Sequence, residues 1–211
     1  VYKRQLKYYR FMEFDWDGVP LIISRTGWSS ELGYEIFLRD GTQGEKLWEH
    51  LMAVGGPLGL KPGHTSSIRR IEAGMLSYHA DMTLANNPYE MGMGRLVDLD
   101  MEADFISKAA LTLIKERGVS QQLVGLEIDG DPFVGSNDFF WPVLEEGVKV
   151  GTVTSAIYSP RLQKNIALAM ISIDHTASGR VLQVDKLSET RTCTVVPIPF
   201  YDPKKSLATA S

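Results

Sequence analysis

Residues 25–39, RTGWSSELGYEIFLR, carry the reading on which the first half of the chain turns. The pattern predicts a β-hairpin whose second strand, Tyr34 to Leu38, alternates strictly. Tyr34, Ile36 and Leu38 then face one way, and Glu35 and Phe37 the other. One face therefore sets a carboxylate beside an aromatic ring. If that face lines a cavity, Glu35 can accept hydrogen bonds from a flat, nitrogen-rich ring that Phe37 and Trp28 wall in. If it does not, Glu35 is an ordinary exposed residue on a half-buried strand.

Outward from this hairpin, strands and helices alternate from about Tyr8 to Gly118. Upstream, RFMEFDWDGVPLIISR reads as two strands joined at Asp17-Gly18. Downstream, Thr42 to Val54 has a capping-box signature in Thr42 and Glu45, an apolar face of Leu47, Trp48, Leu51 and Met52, and a stop at Gly55-Gly56. A second helix is expected from Thr65 or Ser66, turning Ile68, Ile71, Met75 and Leu76 inward and leaving Arg69, Arg70 and Glu72 to project elsewhere. Gly74 interrupts it, at a helix cost of roughly 1 kcal/mol against Ala, and hints at close backbone packing. A third helix spans Ser107 to Arg117 and closes at Gly118.

From Gln121 to Phe200 the signals are nearly all short strands: QLVGLEI, a hairpin PVLEEGVKVGTVTS turning at Glu146-Gly147, NIALAMISI, RVLQVDK and TCTVVPI. Such a run predicts a small barrel or sandwich. The fold class is therefore α+β, with an α+β region over residues 1–118, an all-β barrel-like domain over 119–203 and a polar tail over 204–211.

The 211 residues are 44% hydrophobic and 23% charged, the composition of an ordinary globular protein. A net charge of −4 with no long basic run argues against nucleic acid or an anionic membrane surface as a partner. The basic cluster Lys3 to Arg10 reads as a solvated strand or linker. Cys193 is the single cysteine, which rules out a disulfide within the chain and favours a reducing, cytoplasmic setting. The scattered His50, His64, His79 and His175 give no zinc-binding spacing. No apolar run is long enough to span a membrane, and no signal peptide is legible. The start lacks Met, and Val1 to Gln5 resembles an adapter-derived scar, so the chain is expected to begin in mid-protein.

Chemistry-bearing motifs are few. There is no nucleophile elbow, P-loop or dinucleotide fingerprint, and Met91 and Met93 of EMGMG read as core filler rather than as part of a phosphate loop. His79 and Asp81 could form an acid/base pair only if the backbone turns between them, and a surface loop with local hydrogen bonds is the simpler account. Arg69 and Arg70 could clamp a carboxylate, or Arg69 could pair with Glu72 along the helix. Glu90 of NNPYE reads as a turn residue, and Tyr158 to Arg161 as a connection between strands.

Six stretches carry a resemblance that covers nearly the whole chain: SRTGWSSELGYEIFL, IRRIEAGMLSYHADM, NPYEMGMGRLVDLD, DFISKAAL, VGTVTSAIYSPRLQKNIALAM and VPIPF. In order and spacing they resemble the later part of the folate-binding aminomethyltransferase family, which includes the glycine cleavage T-protein. GWSSELGYE, IRRIEAGMLSY and Ala80 resemble the dimethylsulfoniopropionate demethylase branch more than the T-proteins. The resemblance implies a three-domain ring around tetrahydrofolate, of which this chain holds the later portion and the C-terminal barrel. It also implies tetrahydrofolate-dependent transfer of a methyl group from dimethylsulfoniopropionate, or a related small methylated donor, to give 5-methyltetrahydrofolate. Glu35 is then the pterin-binding glutamate, and Trp28, Phe37, Ser77 and Tyr78 are the expected substrate-binding residues. No catalytic residue and no metal are assigned, and the oligomeric state, monomer or homodimer, stays open. Ser66 stands where T-proteins have a folate-contacting arginine, and Phe37 where demethylases of this type can carry a tyrosine. The alternatives are aminomethyl transfer as in glycine cleavage, or a non-catalytic folate-binding relative that assists iron-sulfur cluster assembly, whose cysteine motif is absent from these residues. Without the family's first domain, the fragment alone is expected to be inactive.

Overall fold

The structure, a computed structural model, describes residues 6–28 and 31–209. The expected scar at Val1 to Gln5, and Ser29 and Ser30 of the GWSS motif, lie outside the described residues. By compactness the chain divides into one unit of residues 1–66 with 204–211 and a second of residues 67–203. No helix among the described residues is long and apolar enough to cross a membrane.

The first unit is built on a three-stranded antiparallel sheet, β1 (Phe11–Trp16), β2 (Val19–Ser24) and β3 (Glu35–Leu38), in that order. The first hairpin turns where the dipeptide predicts, with Asp17 and Gly18 both at positive φ, the backbone that matches the right-handed twist of paired strands. Register sets Glu35 beside Ser24 and Phe11, and Phe37 beside Ile22 and Glu13. The opposite face carries Val19 and Leu21, both buried.

Helix α1 (Gly44–Gly55) follows a short 3-10 turn, Gly41–Gln43. Here the structure corrects the expected cap. Asp40 caps the 3-10 turn that leads into α1, its Oδ1 accepting from the Thr42 amide at 3.0 Å and the Thr42 hydroxyl at 2.7 Å, while Gln43 at the N-cap of α1 makes no side-chain cap bond. A carboxylate two residues upstream satisfies the free N–H groups better than the hydroxyl it engages. Trp48, expected on the inward face, is 54% exposed.

In the second unit, α2 (Ser67–Glu72) stops short of its expected length, because Gly74 at φ +64 leaves the helix. A Cβ on Gly74 would lie 3.3 Å from Ile198 Cβ, which is the close packing the glycine hinted at. Helix α3 (Lys108–Arg117) ends with the Gly118 amide donating to the Ile114 carbonyl.

Six strands then close a barrel in the order β4-β7-β6-β5-β8-β9: β4 (Gln121–Ile128), β5 (Trp141–Glu145), β6 (Val148–Ser159), β7 (Lys164–Ser172), β8 (Val181–Asp185) and β9 (Thr190–Val196). Their alternation explains the sequence. Ala167, Ala169 and Ile171 of β7 fill the interior with Leu126, Val143, Val153, Val184 and Val195. Ile166 and Leu168 point outward, yet are fully buried under Ile71 of α2 and Met91. With both faces covered, β7 reads as an unbroken apolar run.

Candidate functional site

The hairpin stretch places Glu35 and Phe37 on one face of the first sheet, and that face is open: Glu35 is exposed, and Phe37 and Phe11 are 53% and 68% exposed. Arg39, two residues further on, reaches Glu13 on the same face at 3.1 Å. The Glu35 carboxylate is nonetheless ordered. Its Oε2 accepts from the Thr26 hydroxyl, whose oxygen lies 2.9 Å from Ser24 Oγ. Since the single Thr26 proton goes to Glu35, Ser24 donates to Thr26, and the two hydroxyls form a relay that orients the carboxylate. Trp28 stands 44% exposed in the connection from β2 to β3.

Ser77 and Tyr78 belong to the second unit, in the turn that follows α2. Tyr78 is half exposed and packs on the His79 ring at 4.3 Å. His79 adopts φ +71, and its amide donates to the Met82 carbonyl. The five expected site residues therefore fall into two groups: Trp28, Glu35 and Phe37 on the first unit, Ser77 and Tyr78 on the second.

Beneath that turn lies a cluster the sequence did not reveal. Asp81, 3% exposed, receives Arg70 Nη1 at 2.8 Å and the Ser77 amide at 2.9 Å on Oδ2. Its Oδ1 receives the hydroxyls of Thr154 at 2.7 Å and Ser155 at 2.6 Å. Arg70 Nη2 also donates to Ser155 Oγ at 2.8 Å. Asp81 is thus committed to Arg70 and the barrel, and the conditional pairing of Asp81 with His79 is not what the turn builds. The signal in the sequence was the adjacent hydroxyl pair Thr154-Ser155, which breaks the alternation of strand β6.

The other weighed residues resolve as architecture. Glu72, 2% exposed, accepts Ser159 Oγ at 2.6 Å and pairs with Arg161 at 3.6 Å. Arg161 in turn lies over the Tyr201 ring at 4.2 Å. Glu90 accepts the Asn87 amide at 3.1 Å within its own turn, and Met91 is buried in the cluster outside the barrel.

The GCVT N-terminal domain family matches residues 1–101, and the glycine cleavage T-protein C-terminal barrel domain family matches residues 121–202. The chain belongs to the glycine cleavage T-protein family. It is 36% identical over 192 residues to dimethylsulfoniopropionate demethylase of Ruegeria pomeroyi, covering 91% of this chain and 52% of that protein. To the aminomethyltransferase of Bacillus cereus it is 35% identical over 206 residues, covering 96% and 55%. To that of Streptomyces avermitilis it is 36% identical over 208 residues, covering 95% and 54%. The glycine cleavage system aminomethyltransferase T of Bartonella henselae shares the fold, with a TM-score of 0.78 at 20% identity over 94% of this chain and 54% of that one. The chain spans about half the length of the curated relatives it matches. The family's later portion, ending in its closed six-stranded barrel, is therefore what these residues form.

Proposed function

We propose that the protein containing this chain transfers a one-carbon unit to tetrahydrofolate, with dimethylsulfoniopropionate or a related methylated compound as donor. The observation that carries the reading is Glu35. It is an acceptor-only carboxylate, oriented by the Ser24–Thr26 relay and displayed beside an exposed aromatic ring. The pterin of tetrahydrofolate presents ring N–H and amino donors on one edge, which a carboxylate matches. When bound, tetrahydrofolate supplies the nucleophilic N5. The chain's own residues hold and orient. Glu35 fixes the pterin edge, Phe37 offers an apolar wall, and the exposed face of Trp28 suits a sulfonium cation, an attraction of about 0.5–2 kcal/mol. A sulfonium methyl is already electrophilic, so alignment and exclusion of water are the main demands on the protein.

Aminomethyl transfer is the second reading, favoured by identity of 35–36% to aminomethyltransferases against 36% to the demethylase. One experiment separates them. The protein, extended to the full length of its relatives, is incubated with tetrahydrofolate and dimethylsulfoniopropionate, and the folate product is identified by mass. 5-Methyltetrahydrofolate with methylmercaptopropionate supports the demethylase reading, and folate binding without that product sinks it. Glu35→Ala is expected to weaken folate binding at least tenfold, the scale of a lost hydrogen bond to a charged group. Unchanged affinity would remove Glu35 from the site.

A further inference from the structure

The Arg70–Asp81 pair is not among the expected ligand-binding residues, yet it is a densely bonded polar group at the foot of the Ser77–Tyr78 turn. We propose that Arg70 and Asp81 are positioning residues, a latch that holds this turn in one register on the barrel and thereby sets affinity for the methyl donor. The proposal rests on the donor-side assignment of Ser77 and Tyr78 made above.

Three observations carry it. First, β6 slips register between Val153 and Ser155, a bulge that places Thr154 and Ser155 on the same side. In a regular strand consecutive side chains point to opposite faces; here both hydroxyls reach the same carboxylate oxygen, Asp81 Oδ1. Second, Asp81 spends its other oxygen on Arg70 and on the Ser77 amide. One bond therefore separates the buried charge from the backbone of an expected donor-binding residue. Third, the turn is anchored by apolar packing only at its ends, through Leu76 and Met82, and between them few bonds hold it. His79 is at positive φ, Tyr78 is half exposed, and its backbone bonds are Asp81 N to Ser77 O at 2.8 Å and His79 N to Met82 O at 2.9 Å.

The energetics point the same way. An ion pair this buried loses much of its attraction to desolvation, and apolar replacements of such pairs are often neutral or stabilising. What a fully satisfied polar cluster supplies is direction, because every donor must meet its lone pair in one arrangement.

The test pairs Arg70→Met with Asp81→Leu, which removes both charges together. In this chain, amide hydrogen exchange over Ser77 to Met82 is expected to accelerate about tenfold or more, while β4 and β7 keep their protection. In the full-length protein the donor KM is expected to rise about tenfold with kcat and folate affinity unchanged. A folded double variant with unchanged exchange over the turn overturns the latch. Ser77→Ala is the comparator. If it raises the donor KM and the double variant does not, the latch holds the turn without setting affinity, and the proposal is overturned. If exchange accelerates and neither variant moves KM, the turn is latched but the donor-side assignment of Ser77 fails. Should the double variant not fold, Thr154→Val with Ser155→Ala removes two of the four donors to Asp81 and is judged by the same readouts.

Discussion

Cys193 shows how position alone sets a residue's chemistry. It sits in the barrel interior with no exposed surface, and burial pushes its thiol up to about 12, against a smaller opposing effect from the Leu182 backbone. Since the thiolate is the reactive form, the folded protein is expected to give no reaction with a disulfide reagent at pH 8. One thiol per chain should titrate once guanidinium unfolds it. Prompt stoichiometric labelling of the native protein would contradict the barrel packing. Glycines supply a second contrast. A Cβ on Gly151 would lie 2.6 Å from the Met170 carbonyl oxygen, a backbone atom of the paired strand that cannot swing away. Gly151→Ala is expected to cost about 1–3 kcal/mol, read as a lower urea midpoint at unchanged m-value. On Gly125 the clash is with the Ile198 and Phe200 side chains, which can move, so Gly125→Ala should cost less.

Among the elements, those dictated by neighbours in sequence were legible. Asp17-Gly18 and Glu146-Gly147 turn where they should because both residues of each pair take positive φ, a demand that short dipeptides advertise. Helix α3 starts and stops within a residue of its expected bounds. Legibility failed where a distant partner decided the outcome. Helix α2 ends early at Glu72, ahead of Gly74 packed against Ile198, and Arg70 and Glu72, expected to project away from the inward face, are buried against β6. The bulge at Thr154 showed only as the adjacent hydroxyls Thr154-Ser155, a mark too slight to predict it. Of the candidate site, Glu35 and Phe37 came from strand alternation and the substrate-side roles of Trp28, Ser77 and Tyr78 from resemblance, whereas the Asp81 cluster required the barrel. Strand β5 adds a pH-dependent link. Arg180 bonds Glu145 at 2.8 and 2.7 Å, and His175 Nδ1 lies 2.7 Å from the same carboxylate. The Arg180 hydrogen bonds hold the Glu145 carboxyl below the ordinary glutamate value of 4.5. A depressed folded-state value makes this contribution present above 4.5 and lost as pH falls through the lower, folded value. The stability difference between the native protein and Arg180→Gln, followed by urea titration, should therefore be present at pH 7 and shrink below pH 4.5. A pH-independent difference would assign the effect to packing.

For the whole molecule, packing and pattern divide the chain at different places. The strand-rich pattern begins near Gln121, but Ile71, Met91 and their neighbours cover Leu123, Ile157, Ile166 and Leu168 on the outside of the barrel. Residues 67–203 expressed alone are expected to unfold cooperatively. Residues 119–203 alone would expose that apolar surface and be destabilised by several kcal/mol, about 1.5–3 for each large side chain uncovered. Equal denaturant midpoints for the two pieces would mean that α2 and its turn contribute nothing to the barrel's stability. Closure of the barrel has a consequence in time as well. Strand β4 is flanked on one side by β7 and on the other by β9, through Gly125–Val196 to Ile128–Cys193. During synthesis β4 leaves the ribosome before β9 exists, and its second edge stays unpaired until Thr190–Val196 has emerged. A nascent chain stalled ahead of Thr190 therefore displays an open strand rich in Leu and Val, the form a chaperone would meet.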